Sequence, residues 1–264
     1  MDEFLAFTFR TQWLVFAISS AILLLAGEAG YRWGRRLFVT NDEPRKAQIG
    51  GVQAAVLGML ALLMGFTFSM AVTRYETRRD LVLQEANSIG TTFLRAALLP
   101  EAHKTAVEDI LRHYVEARLE FYNAGHDQAR IADAEKQTAK LQGDLWSHAA
   151  ASGKEAPTVM TATFITALND TIDLDATRWN ALHSHVPGAV WILVLVVAGA
   201  GCFASAYGSG ASGERSHFAN IMLPLLIAVV ITIISDLDRP RHGFIGISQQ
   251  PLLDLKASLS SPPP

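Results

Sequence analysis

The sequence predicts an all-α membrane protein with four transmembrane helices and a four-helix soluble insert between the second and third. Two observations carry this. Half of the 264 residues are hydrophobic and only 18% are charged, yet the charge is not spread evenly. Four stretches are almost free of it, whereas the segment from about residue 74 to 184 is rich in it. A bilayer core about 30 Å thick needs roughly 20 apolar helical residues to cross it, and each of the four stretches approaches that length.

The first span covers residues 12–31, centred on LVFAISSAILLLAG. Arg32, Arg35 and Arg36 follow it. A cleaved signal peptide carries its basic residues before the apolar run, so this segment is expected to stay in the membrane. The second span covers 50–73, GGVQAAVLGMLALLMGFTFSMAVT. The third covers 186–207, and the fourth 218–235, where Pro224 is expected to kink the helix. Charged flanks on all four argue against buried core helices of a soluble protein. The expected division is therefore 1–73 for helices one and two, 74–185 for the soluble helical domain, 186–235 for helices three and four, and 236–264 for a C-terminal segment with a disordered tail, SLSSPPP.

No breaker interrupts residues 74–99, which contain one glycine and no proline. The second span is therefore expected to continue straight out of the membrane, with Val82, Ala86, Ile89, Phe93 and Ala97 as its apolar stripe. A helix after Pro100 carries Val107, Ile110, Leu111, Tyr114 and Tyr122. The next, about 126–151, carries Ile131, Ala134, Thr138, Leu141 and Leu145, and ends at Ser152-Gly153 and Pro157. The returning helix carries Met160, Phe164, Leu168, Ile172, Trp179 and Leu182. Four such stripes bury one another as a bundle.

An even number of spans places both termini on the side of the insert. Arg10, Arg74, Arg78, Arg79, Arg178, Arg239 and Arg241 lie near the spans there. Arg32, Arg35, Arg36, Arg45, Lys46 and Arg215 lie opposite. The positive-inside rule leans only slightly toward a cytoplasmic insert.

The second span holds the candidate site. Gly51, Ala55, Gly58, Gly65 and Ser69 form a small-residue stripe that lets a neighbouring backbone approach. Leu62, Phe66 and Met70, at i, i+4 and i+8, either ring a symmetry axis as an apolar constriction or face lipid or a sister helix. Thr73 follows on a nearby face, suited to a wetter vestibule. Arg74 and Arg78 come next, either lining a basic pore exit or anchoring the helix at the interface. Glu76 and Asp80 are interleaved, so the local field is mixed. Asp236 and Asp238 oppose the dipole of the fourth helix and ask for cations. Arg79 and Arg239 are the candidates for a salt-bridge network at the membrane surface. Glu28 pairs with Arg32 at i, i+4. Asp173 and Asp175 are expected to pair with Arg178 or with the helix that continues the second span.

Other classes are excluded. With a net charge of −3, no electrostatic case for nucleic acid exists. Cys202 is the only cysteine, so there is no internal disulfide. The eight histidines form no HExxH, and His183 and His185 are poorly spaced for a metal. GSGASG at 208–213 reads as a connector between spans, not a phosphate loop. No enzyme activity, metal or cofactor is expected.

GFTFSMAVTRYETRRDLVLQEANSIGTTFLRAALLP at 65–100, LNDTIDLDATRW at 168–179 and SDLDRPRHGFIGISQQPLLDL at 235–255 resemble the bestrophin-like domain family of bacterial membrane proteins. The resemblance covers roughly residues 50–258. Its name records a likeness to bestrophins, pentameric ion channels with four spans and helical cytoplasmic structure between the second and third. Their second span lines the pore, and apolar side chains about one turn apart make its neck. The resemblance thus implies a homo-oligomer, pentameric with a tetramer as the alternative, passing small ions across a bacterial inner membrane, with insert and termini cytoplasmic. The bestrophin calcium-binding acidic cluster has no counterpart, so calcium activation is not implied. Two rivals remain: a membrane-anchored helical sensor or assembly module without conduction, and a transporter.

Overall fold

The computed structural model describes residues 12–36, 43–125, 127–213, 217–239 and 244–260. Arg10, Arg215, Arg241 and the final 261–264 lie outside the described residues. Every regular element among the described residues is a helix: α1 (Gln12–Arg36), α2 (Glu43–Ala96), α3 (Glu101–Asn123), α4 (Gln128–Glu155), α5 (Val159–His183), α6 (Gly188–Ala211), α7 (His217–Asp238) and α8 (Gln250–Ser260). Four of them are long and apolar enough to cross a membrane: α1, α2, α6 and α7. The chain is a multi-pass membrane protein that divides into two compact units.

The first unit comprises residues up to Tyr75 and His185–Ile245. Its core joins Leu23 of α1, Leu60 and Ala71 of α2, Trp191, Val194 and Ala198 of α6, and Ile231 and Ile234 of α7. In lipid the hydrophobic effect no longer drives helices together, so close backbone approach matters more. α1 and α6 achieve it through glycine. A methyl group added at Gly30 would overlap the Phe203 carbonyl oxygen, one at Gly34 that of Tyr207, and one at Gly210 that of Tyr31. Trp13 and Trp33, both exposed, stand near the two ends of α1. Tryptophan favours the membrane–water interface, where its apolar ring and its N–H are both accommodated. Pro224 lies inside α7 without ending it.

The second unit comprises Glu76–Ser184 and the residues from Gly246 onward. Its core joins Val82, Ala86 and Ile89 of α2, Val107, Leu111 and Tyr114 of α3, Leu145 and Ala149 of α4, Phe164 and Leu168 of α5, and Leu252 and Leu259 of α8. Pro100 separates α2 from α3, and Gly125 stops the chain after α3 at φ +55°, a left-handed conformation that glycine adopts without a Cβ penalty. Asp127 then caps α4, accepting from the Ala129 and Arg130 N–H groups at 3.0 and 3.2 Å. Thr158 caps α5 through Thr161 N–H.

Several expectations are corrected. Ser152-Gly153 does not break α4, which runs to Glu155. Ser152 is buried there, with its hydroxyl bonded to the Ala149 carbonyl. Ala97 is exposed, and Ala96 and Leu99 take its place in the core. Met160 and Trp179 are 54% and 40% exposed rather than core. Gly208, Ser209 and Gly210 belong to α6, and the chain turns at Ser212-Gly213. The segment read as a disordered tail begins with a helix: Ser258, Leu259 and Ser260 end α8, whose Leu252 and Leu259 are buried.

Candidate functional site

Helix α2 runs 54 residues without interruption, because nothing between Thr73 and Ala96 breaks the ladder. In its membrane portion it is the span least covered by its own chain. Only 22% of its most apolar 18 residues are buried, against 33%, 39% and 44% for the others. Leu62 is 61% and Phe66 66% exposed. Gly51, Ala55, Gly58, Gly65 and Ser69 are exposed beside them, and a methyl group at Gly51, Gly58 or Gly65 would meet nothing within 4 Å. The two faces assigned from sequence are therefore one. Among the described residues no neighbouring helix fills the small-residue stripe. The close glycine packing sits instead on α1 and α6, where Gly30-x-x-x-Gly34 is the legible signal that the sequence reading passed over.

Met70 departs from its expected place. At about 100° per residue, each i, i+4 step drifts about 40° round the helix, so Met70 stands about 80° from Leu62. It is half-buried, packs on the core of the first unit, and has the Arg74 Nη2 group 3.9 Å from its sulfur. Thr73 does lie on the open face, its hydroxyl bonded to the Ser69 carbonyl at 3.0 Å. Arg74 is half-buried on the flank. Arg78 is buried and does not face a vestibule. Its guanidinium donates to the carbonyls of Ala181 and Ser184 at 2.9 and 2.7 Å, satisfying acceptors that the end of α5 leaves without intrahelical partners.

In the second unit α2 exposes a run of polar side chains. Glu76, Thr77, Asp80, Gln84, Asn87 and Thr91 are all exposed. Arg79 is exposed at the edge and touches Asp80 at 3.4 Å.

At the end of α7 the two aspartates of the expected network meet peptide N–H groups. Asp238 accepts from the Val186 N–H through both carboxylate oxygens, at 3.0 and 3.1 Å, with His185 Nδ1 3.8 Å away. Asp236 accepts from the N–H groups of Phe244 and Ile245 at 2.9 to 3.1 Å. Both aspartates thus bind peptide N–H groups and clip chain segments to the end of α7. Glu28 and Arg32 pair at 2.8 Å.

The second unit holds an ionic cluster that sequence reasoning missed. Glu85, fully buried on α2, accepts from Arg118 Nε of α3 at 2.7 Å and pairs with Arg178 of α5. Arg118 Nη1 pairs with Asp175 Oδ1 at 2.5 Å. Gln142 Nε2 bridges Asp175 and the Tyr114 hydroxyl at 2.9 and 3.2 Å. Arg178 also donates to Gln249 at 3.1 Å and lies 4.1 Å over the Tyr122 ring. The expected partners were exchanged: Asp175 takes Arg118, and Arg178 takes Glu85. Burial, opposed by Arg118, pushes the Tyr114 phenol up to about 12. The signal was present, since Glu85 interrupts the stripe of Val82, Ala86 and Ile89, and a charge on a core stripe demands a partner. Among the described residues no cluster of three or more His, Cys, Asp or Glu is arranged to hold a metal.

These features define an all-helical multi-pass membrane protein of the bestrophin fold. The chain belongs to the bestrophin-like domain family, whose domain matches residues 17–252. No curated protein matches it in sequence. Structures of a bacterial bestrophin homolog from Klebsiella pneumoniae are similar in fold. One singly substituted form has a TM-score of 0.66 at 12% identity, covering 93% of this chain and 96% of that one. Another has a TM-score of 0.65 at 13% identity, covering 94% and 97%. A further structure of that homolog has a TM-score of 0.59 at 12% identity, covering 92% and 97%.

Proposed function

We propose that the protein is a homo-oligomeric ion channel, pentameric in the bestrophin manner, with α2 lining the pore. Leu62 and Phe66 form the apolar constriction, and Ser69 and Thr73 line the wider part beyond it. Met70 supports the constriction from behind. Residues 74–185 form the soluble part, cytoplasmic with both termini, and the spans lie in a bacterial inner membrane. The observation that carries this reading is the open face of α2: large apolar side chains and adjacent glycines that its own chain leaves uncovered. Family membership and the bestrophin fold support it. Rings of apolar groups gate ions by dewetting.

The test is ion flux into liposomes containing the purified protein. Phe66→Ala is expected to raise flux severalfold by widening and wetting the constriction. Absence of flux under varied ions, pH and voltage would overturn the proposal. The self-contained core of the second unit favours one alternative, a membrane-anchored sensor or assembly module. A stable protein that never conducts would point there.

A further inference from the structure

His103, in the first turn of α3, and His148, near the end of α4, face each other through their Nδ1 atoms at 3.1 Å. Their rings meet edge to face with centroids 5.4 Å apart. The other nitrogen of His103, Nε2, lies 3.1 Å from the Glu155 carboxylate. The His103 side chain is only 14% exposed, whereas Glu155 is 56% exposed. An imidazole nitrogen donates only when protonated and accepts only when bare. With Nε2–H donated to Glu155, a neutral His103 offers a bare Nδ1, and His148 donates to it. If His103 is cationic it donates from both nitrogens, and His148 must accept. The arrangement therefore has room for one added proton and none for a second. When both rings are charged, two N–H groups point at each other and the contact fails.

We propose that His103, His148 and Glu155 form a proton-sensitive latch that ties the start of α3 to the end of α4 and opens when the second imidazole is protonated. Histidine is the side chain whose charge changes between about pH 5 and 8. The other charged groups near the latch are engaged elsewhere or lie along its own helices. Glu101 pairs with Lys104 at 3.5 Å on α3. Asp144 and Lys154 lie along α4. α5 has no acidic residue in its first turn, and Arg95 at the end of α2 donates to the Thr163 carbonyl at 2.9 Å. On α8, Lys256 pairs with Glu116 at 2.9 Å.

The test is amide hydrogen exchange on the full chain in detergent at about pH 7.5 and pH 5, corrected for the intrinsic rate. In the wild type, exchange at 101–107 and 145–155 is expected to quicken about fivefold to tenfold at the lower pH, the loss of one hydrogen bond. Peptides covering 159–171 should stay unchanged. In His148→Gln, whose amide both donates and accepts, and likewise in His103→Gln, protection of those segments should not depend on pH. Unchanged wild-type protection would overturn the latch. So would a response that persists in both variants, or one that spreads evenly over the whole unit.

Discussion

Glu85 is a carboxylate on the core stripe of α2, and two guanidinium groups hold it there. Breaking a buried ion pair by removing one partner costs about 3–5 kcal/mol, because the other charge is left buried. Arg178→Met leaves Glu85 with Arg118 alone and is therefore expected to lower the stability of the second unit by part of that amount. Glu85→Gln with Arg178→Met should recover a large part of the loss. Chemical denaturation of the wild type and the two variants in one detergent checks this. If the double variant is no better than the single, the pair is not the coupled unit described. At this scale the sequence was only half legible. At Glu85 and Arg118 a charge interrupts an apolar stripe, a signal in the sequence that was passed over. Their partners were not legible, because Glu85 and Arg118 are 33 positions apart and on different helices. Arg78 misled for the same reason: a basic residue beside a span resembles an interface anchor until the carbonyls of Ala181 and Ser184 come within reach of it.

Among the elements, helix length and breakers were the readable quantities. α2 continues to Ala96 because no proline lies between Pro44, in its first turn, and Pro100, and α3 stops at a glycine that adopts positive φ. Helix α8 was missed: eleven residues with proline near the start give too short a period to recognise, and its burial depends on tertiary neighbours. Packing partners were least legible. Small residues were noted on α2, whereas Gly30, Gly34 and Gly210 make the close backbone contact. A side chain at Gly30 has only backbone to displace. Gly30→Leu is expected to separate α1 from α6 at a cost of about 2–3 kcal/mol, in the range of overpacked cores. By contrast Gly58→Leu, with open space beside it, should leave the fold of a single chain intact. Thermal melts followed by size-exclusion profile in detergent separate the two. A Gly58→Leu protein that folds but loses its oligomer would agree with α2 facing sister copies.

On the scale of the whole molecule, the exposed charges that α2 carries after Thr73 have consequences for ion type. Glu76 and Asp80 are exposed, whereas Arg74 is half-buried and Arg78 is buried. Arg79 offsets Asp80 in part. If copies of α2 surround a conduit, the fixed charge along it is net negative and cations are favoured. An exposed charge interaction is worth about 0.2–1 kcal/mol, so Glu76→Gln with Asp80→Asn is expected to lower the cation-to-anion permeability ratio by roughly twofold to fivefold. Reversal potentials under a salt gradient measure it. A channel that prefers anions in the wild type would contradict the arrangement while leaving conduction itself established.

Trp13 and Trp33 stand twenty positions apart on α1, about 30 Å of helical rise. That interval is a gauge of bilayer thickness. In a membrane several ångströms thinner, the helix must lean to keep both indoles at the lipid headgroups. Gly30 and Gly34 bind α1 to α6 backbone against backbone, so the lean is shared by both helices. The acyl-chain length of the host lipid therefore acts on a pair of helices at once.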